Sequence, residues 1–271
     1  MKFGLSTLGC PDWTLERVAE AAADYGYEGI ELRILDGEVI TPALVRANQE
    51  RLLSVFAGSG PRIVGLGTSV RMSMADPKER AEQERTLGEF IDLARELGVP
   101  MVRIFGGRIS DGDDEAGAVD HVVESLSRCS PAAERAGITI ALETHDDFSR
   151  SAVVAAALAR VKSSSVGALW DTHHPYRMGE NLAEVWANLA NRLVHVHLKD
   201  AQRRPDGGWN LVLLGKGEVP CREILRALVL RGYRGYVVAE WEKKWHPEIP
   251  APEVAFPQHI AKMKEWVADI I

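Results

Sequence analysis

The sequence predicts an α/β chain folded as a single (β/α)8 TIM barrel. Eight short β-rich runs alternate with eight amphipathic stretches along the 271 residues. Strands that alternate with helices pair in parallel through right-handed crossovers. No Gly-rich phosphate fingerprint follows the first strand, which favours a closed barrel over a doubly wound open sheet. No linker-like segment breaks the rhythm, so residues 1–271 are expected to form one domain.

The units follow in order. "KFGLST" precedes the helical "TLERVAEAAADYGY", and "GIELRIL" precedes "PALVRANQERLLSVFAGSG". "RIVGLGT" leads to "PKERAEQERTLGEFIDLARELGV", and "MVRIFGG" to "EAGAVDHVVESLSRCSPAAERAG". In the second half "TIALETH" leads to "RSAVVAAALARV" and "VGALWDTHH" to "NLAEVWANLA". "LVHVHLKDA" then leads to "PCREILRALVLRGY", and "YVVAEWE" to "PEVAFPQHIAKMKEWVADII". Glycines in "YGYEG", "ELGVP", "ERAGI" and "RGYRG" mark helix stops before the next strand.

Composition narrows the function classes. Net charge is −7 and the pI about 5.7. With no basic stripe, neither nucleic acid nor a membrane surface is an expected partner. Cys10, Cys129 and Cys221 are odd in number, widely spaced and form no CxxC, which fits a reducing cytoplasm. The N-terminal "MKFGLSTLGC" is too short an apolar run for a signal peptide, and no run is long enough to span a bilayer.

A barrel of this kind places its chemistry at the C-terminal strand ends. The fifth strand closes on Glu143, the sixth on Asp171, the seventh on His197 and the eighth on Glu240. Period-2 alternation puts Ala141, Leu169, His195 and Val238 one pleat deeper on the same faces. Three of these are apolar, as packed barrel layers require. A lone strand-end carboxylate is commonly solvated or caps a helix. Four metal-binding side chains on neighbouring strands point into one cup. Two glutamates, an aspartate and a histidine suit one divalent ion, Mn2+ or Mg2+, with Co2+ or Zn2+ as substitutes. His195, one pleat deeper, is expected to support His197 rather than to ligate. His145 lies one pleat beyond Glu143 as a candidate substrate contact. Trp13, Trp241 and Trp245 follow the first and eighth strands, as pocket walls for a sugar face or as structural covers. "GLG" at 65–67 and "GKG" at 215–217 are too short to be phosphate cradles.

Through "YGYEGIELR", "ALETH", "WDTHH", "HVHLKDA", "LLGKGEVP" and "VVAEWE", the chain resembles the xylose isomerase-like TIM barrels, the sugar phosphate isomerase/epimerase superfamily, over essentially its full length. The resemblance implies a single divalent ion on Glu143, Asp171, His197 and Glu240, with the two glutamates also exchanging the substrate proton. The family's Asp-x-x-His pattern falls on Asp171 and His174. A substrate-binding arginine six residues after the ligand histidine falls on Arg203. Helix capping before Pro175 and ordinary surface charge are the competing readings of these two. The implied substrate is a small carbohydrate or hydroxy-ketone, and dimers or tetramers are common in the family.

Removing a proton beside a carbonyl builds an enediolate, whose charge a divalent cation stabilises. A nearby carboxylate serves as general base. A dehydratase of the inosose or dehydroshikimate type starts with the same abstraction, so the ligand set does not separate it from an isomerase or epimerase. An endonuclease IV-like nuclease fits poorly. The fourth strand ends "RIFGGR" without histidine, and no Asp-x-His follows the seventh.

Overall fold

The computed structural model describes residues 1–58 and 60–270. Eight parallel strands form the barrel: β1 (Lys2–Ser6), β2 (Gly29–Leu32), β3 (Arg62–Arg71), β4 (Met101–Phe105), β5 (Thr139–Glu143), β6 (Val166–Asp171), β7 (Leu193–Leu198) and β8 (Tyr236–Ala239). They close in sequence order, with β1 between β8 and β2, which makes the fold a single (β/α)8 TIM barrel. By internal packing the chain divides into two compact units. Met1–Val39, Glu50–Val64 and Val196–Ile271 make up one, and Ile40–Gln49 with Gly65–His195 the other.

In the first unit, β1 runs parallel to β8, with Lys2 opposite Tyr236 and Leu5 opposite Ala239. On its other edge Gly4 pairs with Gly29 and Ser6 with Glu31. Helix α1 (Leu15–Tyr25) follows β1, capped by the Thr14 hydroxyl, which accepts from Arg17 N–H. Helices α9 (Cys221–Leu230) and α10 (Pro252–Ala268) follow β7 and β8.

In the second unit, β4 pairs with β5 from Met101–Thr139 to Phe105–Glu143. Strand β5 pairs with β6 from Ile140–Val166 to Glu143–Leu169. Met101, Ala141 and Leu169 pack into one buried cluster against Val194, the apolar layer beneath the strand ends. The long helices α4 (Pro77–Leu97) and α5 (Glu115–Ala136) end at Gly98 and Gly137, with φ of 67° and 70°. That left-handed geometry is easy for glycine and strained for most residues.

Three strand-to-helix connections are more elaborate than the repeat suggests. After β2, Ile34–Leu35 pairs with Glu38–Val39 in a small hairpin. The helix that follows is split into α2 (Pro42–Ala47) and α3 (Gln49–Val55), because Asn48 leaves helical geometry at φ −109°, ψ 13°. After β6 come the short α7 (His173–Arg177) and then α8 (Leu182–Leu189), which opens on an Asn181–Glu184 capping box. After β7, Asp200–Arg203 pairs antiparallel with Trp209–Val212. Helix α6 (Ser151–Arg160) follows β5 as a single stretch. Among the described residues, no helix is long and apolar enough to cross a membrane.

Candidate metal centre

Strand β5 delivers Glu143 and β6 delivers Asp171, both as terminal residues. Glu143 is buried against Arg103 of β4, whose Nε lies 3.1 Å from Glu143 Oε2. The guanidinium is fixed in turn. Its Nη1 donates to the Thr68 carbonyl at 2.9 Å, and it lies 4.0 Å from the centroid of the Phe105 ring. Asp171 Oδ1 accepts from the backbone N–H groups of His173 and His174 at 2.8 and 3.3 Å, capping α7. Asp171 Oδ2 stands 3.6 Å from His174 Nε2. The His174 ring meets the His145 ring at 4.5 Å, and His145 also lies 4.4 Å from Phe105. His145 Nδ1 is 3.2 Å from Asp146 Oδ1, and this hydrogen bond holds the Asp146 carboxyl below the usual carboxylate range.

In β7, His197 is fully buried, with its two ring nitrogens between two carboxylates. Nδ1 lies 3.1 Å from Glu240 Oε1, and Nε2 lies 2.7 Å from Glu31 Oε2. Glu240, immediately after β8, has its other oxygen 2.8 Å from the buried Lys199 Nζ, which also pairs with Glu242. Burial alone would raise the Glu240 carboxyl, but His197 and the Lys199 ammonium, both within hydrogen-bond reach of it, hold it well below its ordinary value. His195 is buried one pleat deeper, and its ligand atom lies within 4.8 Å of those of Glu31 and His197.

The other sequence candidates lie as follows. Trp13 is buried, donates from Nε1 to Glu253 at 3.0 Å and packs edge-on against Phe256. Trp241 is fully buried and donates to the Pro250 carbonyl, whereas Trp245 is exposed. Arg203 is exposed on the hairpin after β7, its backbone N–H donating to Glu218. The "GKG" amides have a structural partner: Asp200 accepts from Gly215, Gly217 and Val219 N–H.

Glu143, Asp171, His197 and Glu240 each offer one ligand atom, and the four atoms lie within 4.8 Å of one another. Two donors about 2.1 Å from one ion stand at most about 4.2 Å apart, so four atoms within 4.8 Å need only small side-chain shifts to share one ion. Charge points the same way. Three carboxylates this close disfavour joint ionisation, and a divalent cation reverses that preference. Sequence reasoning missed Glu31, Arg103 and Lys199. Their signal was charge inside runs that otherwise read as buried strand, "GIELRIL", "MVRIFGG" and "VHVHLKDA".

The xylose isomerase-like TIM barrel family model matches residues 19–266, and the chain belongs to that family. Among proteins similar to it, fructoselysine 3-epimerase of Shigella flexneri is 25% identical over 250 residues, covering 89% of this chain and 90% of the relative. A putative hydroxypyruvate isomerase of Streptomyces coelicolor is 27% identical over 247 residues, covering 84% of this chain and 85% of the relative. In fold, the chain is similar to a D-tagatose 3-epimerase-like protein, with TM-score 0.82, 20% identity, and 100% and 98% of the two chains covered. It is likewise similar to the IolI protein with a bound zinc atom, with TM-score 0.81, 20% identity and the same coverage.

Proposed function

We propose that residues 1–271 form one catalytic domain, a divalent-metal-dependent epimerase or isomerase of a small carbohydrate or related hydroxy-ketone. The observation that carries this reading is the pair of buried glutamates in the four-donor cluster, each with one oxygen on a fixed cation. Glu143, Asp171, His197 and Glu240 would hold a divalent cation, Mn2+ or Mg2+ by their oxygen-rich chemistry, and it would supply Lewis-acid polarisation of the substrate. One glutamate takes the proton from the carbon beside the carbonyl and leaves an enediolate. Return to the neighbouring carbon gives isomerisation, and return by the other glutamate to the opposite face gives epimerisation. Arg103 and Lys199 hold the two carboxylates in place before substrate arrives, so little reorganisation accompanies the proton transfer.

His174 and His145, in ring contact, are the proposed hydroxyl-binding edge. Arg203 would reach the substrate from the hairpin. Trp13 would contribute ring surface only, since its indole N–H bonds Glu253. The relatives named fructoselysine 3-epimerase and hydroxypyruvate isomerase support this substrate class. Cys10, Cys129 and Cys221 are buried thiols, which suits a reducing cytoplasm.

The test is a panel of ketohexoses, ketopentoses, hydroxypyruvate and inososes in D2O with Mn2+, followed by NMR. Deuterium entering beside the carbonyl, with loss of exchange in Glu240→Gln, is the expected result. A new enone signal with loss of water would make the chain a dehydratase. Full turnover by metal-stripped protein, or by Glu240→Gln, overturns the reading.

A further inference from the structure

A carboxylate outside the four-donor cluster sits on the far side of its only histidine. Glu31, in β2, is fully buried, and its Oε2 lies 2.7 Å from His197 Nε2. The other ring nitrogen, Nδ1, faces Glu240, which belongs to the cluster. An imidazole donating N–H at one nitrogen must present a lone pair at the other if it is neutral. We propose that Glu31 is a positioning residue: its carboxylate accepts the Nε2–H of His197, fixes that tautomer and aims the Nδ1 lone pair at the metal centre. The inference rests on the metal-centre reading above and adds to it a residue on a strand that supplies no ligand.

Two physical consequences follow. A carboxylate hydrogen-bonded to the remote N–H makes the imidazole a more basic ligand and locks its ring orientation. It also holds a negative charge beside the site without entering it. His197 has no backbone freedom to compensate, since it lies inside β7 and is fully buried.

Glu31, His195 and His197 also offer ligand atoms within 4.8 Å of one another, so a second ion shared through His197 is the competing arrangement. The distances favour the hydrogen bond. Two donors at about 2.1 Å from one ion, at right angles or wider, stand about 3.0 Å apart or more. The Glu31–His197 separation is 2.7 Å, inside that limit and within normal hydrogen-bond range. The His197–Glu240 separation of 3.1 Å is compatible with two donors on one ion.

The experiment titrates the full chain, stripped with a chelator, with Co2+ alone. Competition against a chromophoric chelator gives affinity and stoichiometry, and the visible d–d bands report ligand geometry. Wild type, E31Q, E31A and D171N are compared, with the melting temperature of each metal-free protein recorded alongside. The expected result is one Co2+ per wild-type chain, about 10- to 100-fold weaker binding in E31A and E31Q, and altered d–d bands. If E31A does not fold, E31Q carries the comparison. Affinity and spectrum unchanged within twofold overturn the inference, even if the melting temperature falls, because that pattern marks a purely structural carboxylate. Two Co2+ per wild-type chain, falling to one in E31Q, would make Glu31 a ligand and also overturn it. A wild-type chain that binds no Co2+, or D171N binding as tightly as wild type, refutes the metal-centre reading itself and removes the basis of the inference.

Discussion

Replacing Arg103 by methionine tests how the site is held together. Arg103 is 2% exposed and Glu143 1%, with 3.1 Å between Nε and Oε2. Methionine keeps much of the unbranched side-chain volume, so packing against Phe105 is partly retained. What is lost is the cation, together with the hydrogen bond from Nη1 to the Thr68 carbonyl. Removing one partner of a buried ion pair leaves the other charge uncompensated and costs about 3–5 kcal/mol. For a chain of this size that corresponds to a fall in melting temperature of about 6–10 °C. The assay is thermal unfolding of chelator-treated protein, so that metal binding plays no part. The cycle with Glu143→Gln isolates the pair, because the double variant buries neither charge. Its loss should fall short of the sum of the single losses by at least about 2 kcal/mol. An R103M variant within about 1 kcal/mol of wild type, or additive losses around the cycle, would refute the claim that Arg103 holds an ionised Glu143.

Other consequences concern separate parts of the molecule. Lys199→Met should lower kcat by about 100-fold in fully metal-loaded protein, because Glu240 loses the contact that fixes its second oxygen; steady-state kinetics with metal analysis would show it. Arg51 pairs with Glu16 and Asp36, holding Glu16 down to about 2 and Asp36 below its usual range. Depressed carboxylates stabilise the fold above their ordinary values, near pH 4, and lose that contribution as pH falls toward 2. The melting temperature of Arg51→Met should therefore approach that of wild type between pH 5 and pH 2.5, and a gap that widens on acidification would contradict this. Burial raises the thiols of Cys10 and Cys129, the latter to about 12. Neither should react with Ellman's reagent at pH 8 in the folded chain, and all three cysteines should react in denaturant.

The fold was largely legible in the sequence, because period-2 runs alternating with 3.6-period stretches leave few topologies for a parallel sheet. The strand-end residues were legible for the same reason: alternation decides which side chains face inward, and Glu143, Asp171, His197 and Glu240 do lie together. Less legible were groups whose meaning depends on a neighbour far away in sequence. Arg103 reads as one charge in "MVRIF" until β5 brings Glu143 beside it. Glu31 and His197 are 166 residues apart, and no spacing rule links them. The hairpin after β7 was hidden because "AQRRPDGGWNLV" reads as loop, whereas pairing of Asp200–Arg203 with Trp209–Val212 carries Arg203 onto an exposed strand. The split of the helix after β2 depends on the backbone of Asn48, a residue whose helix propensity alone does not demand a break.

The proposed chemistry requires one divalent ion on Glu143, Asp171, His197 and Glu240. A crystal of the Mn2+-loaded protein measured at a wavelength with strong manganese anomalous signal tests it most directly. The expected result is a single anomalous peak per chain, about 2.0–2.4 Å from one atom of each of the four side chains. No peak there, or a peak held by other residues while these four bind no ion, would refute it.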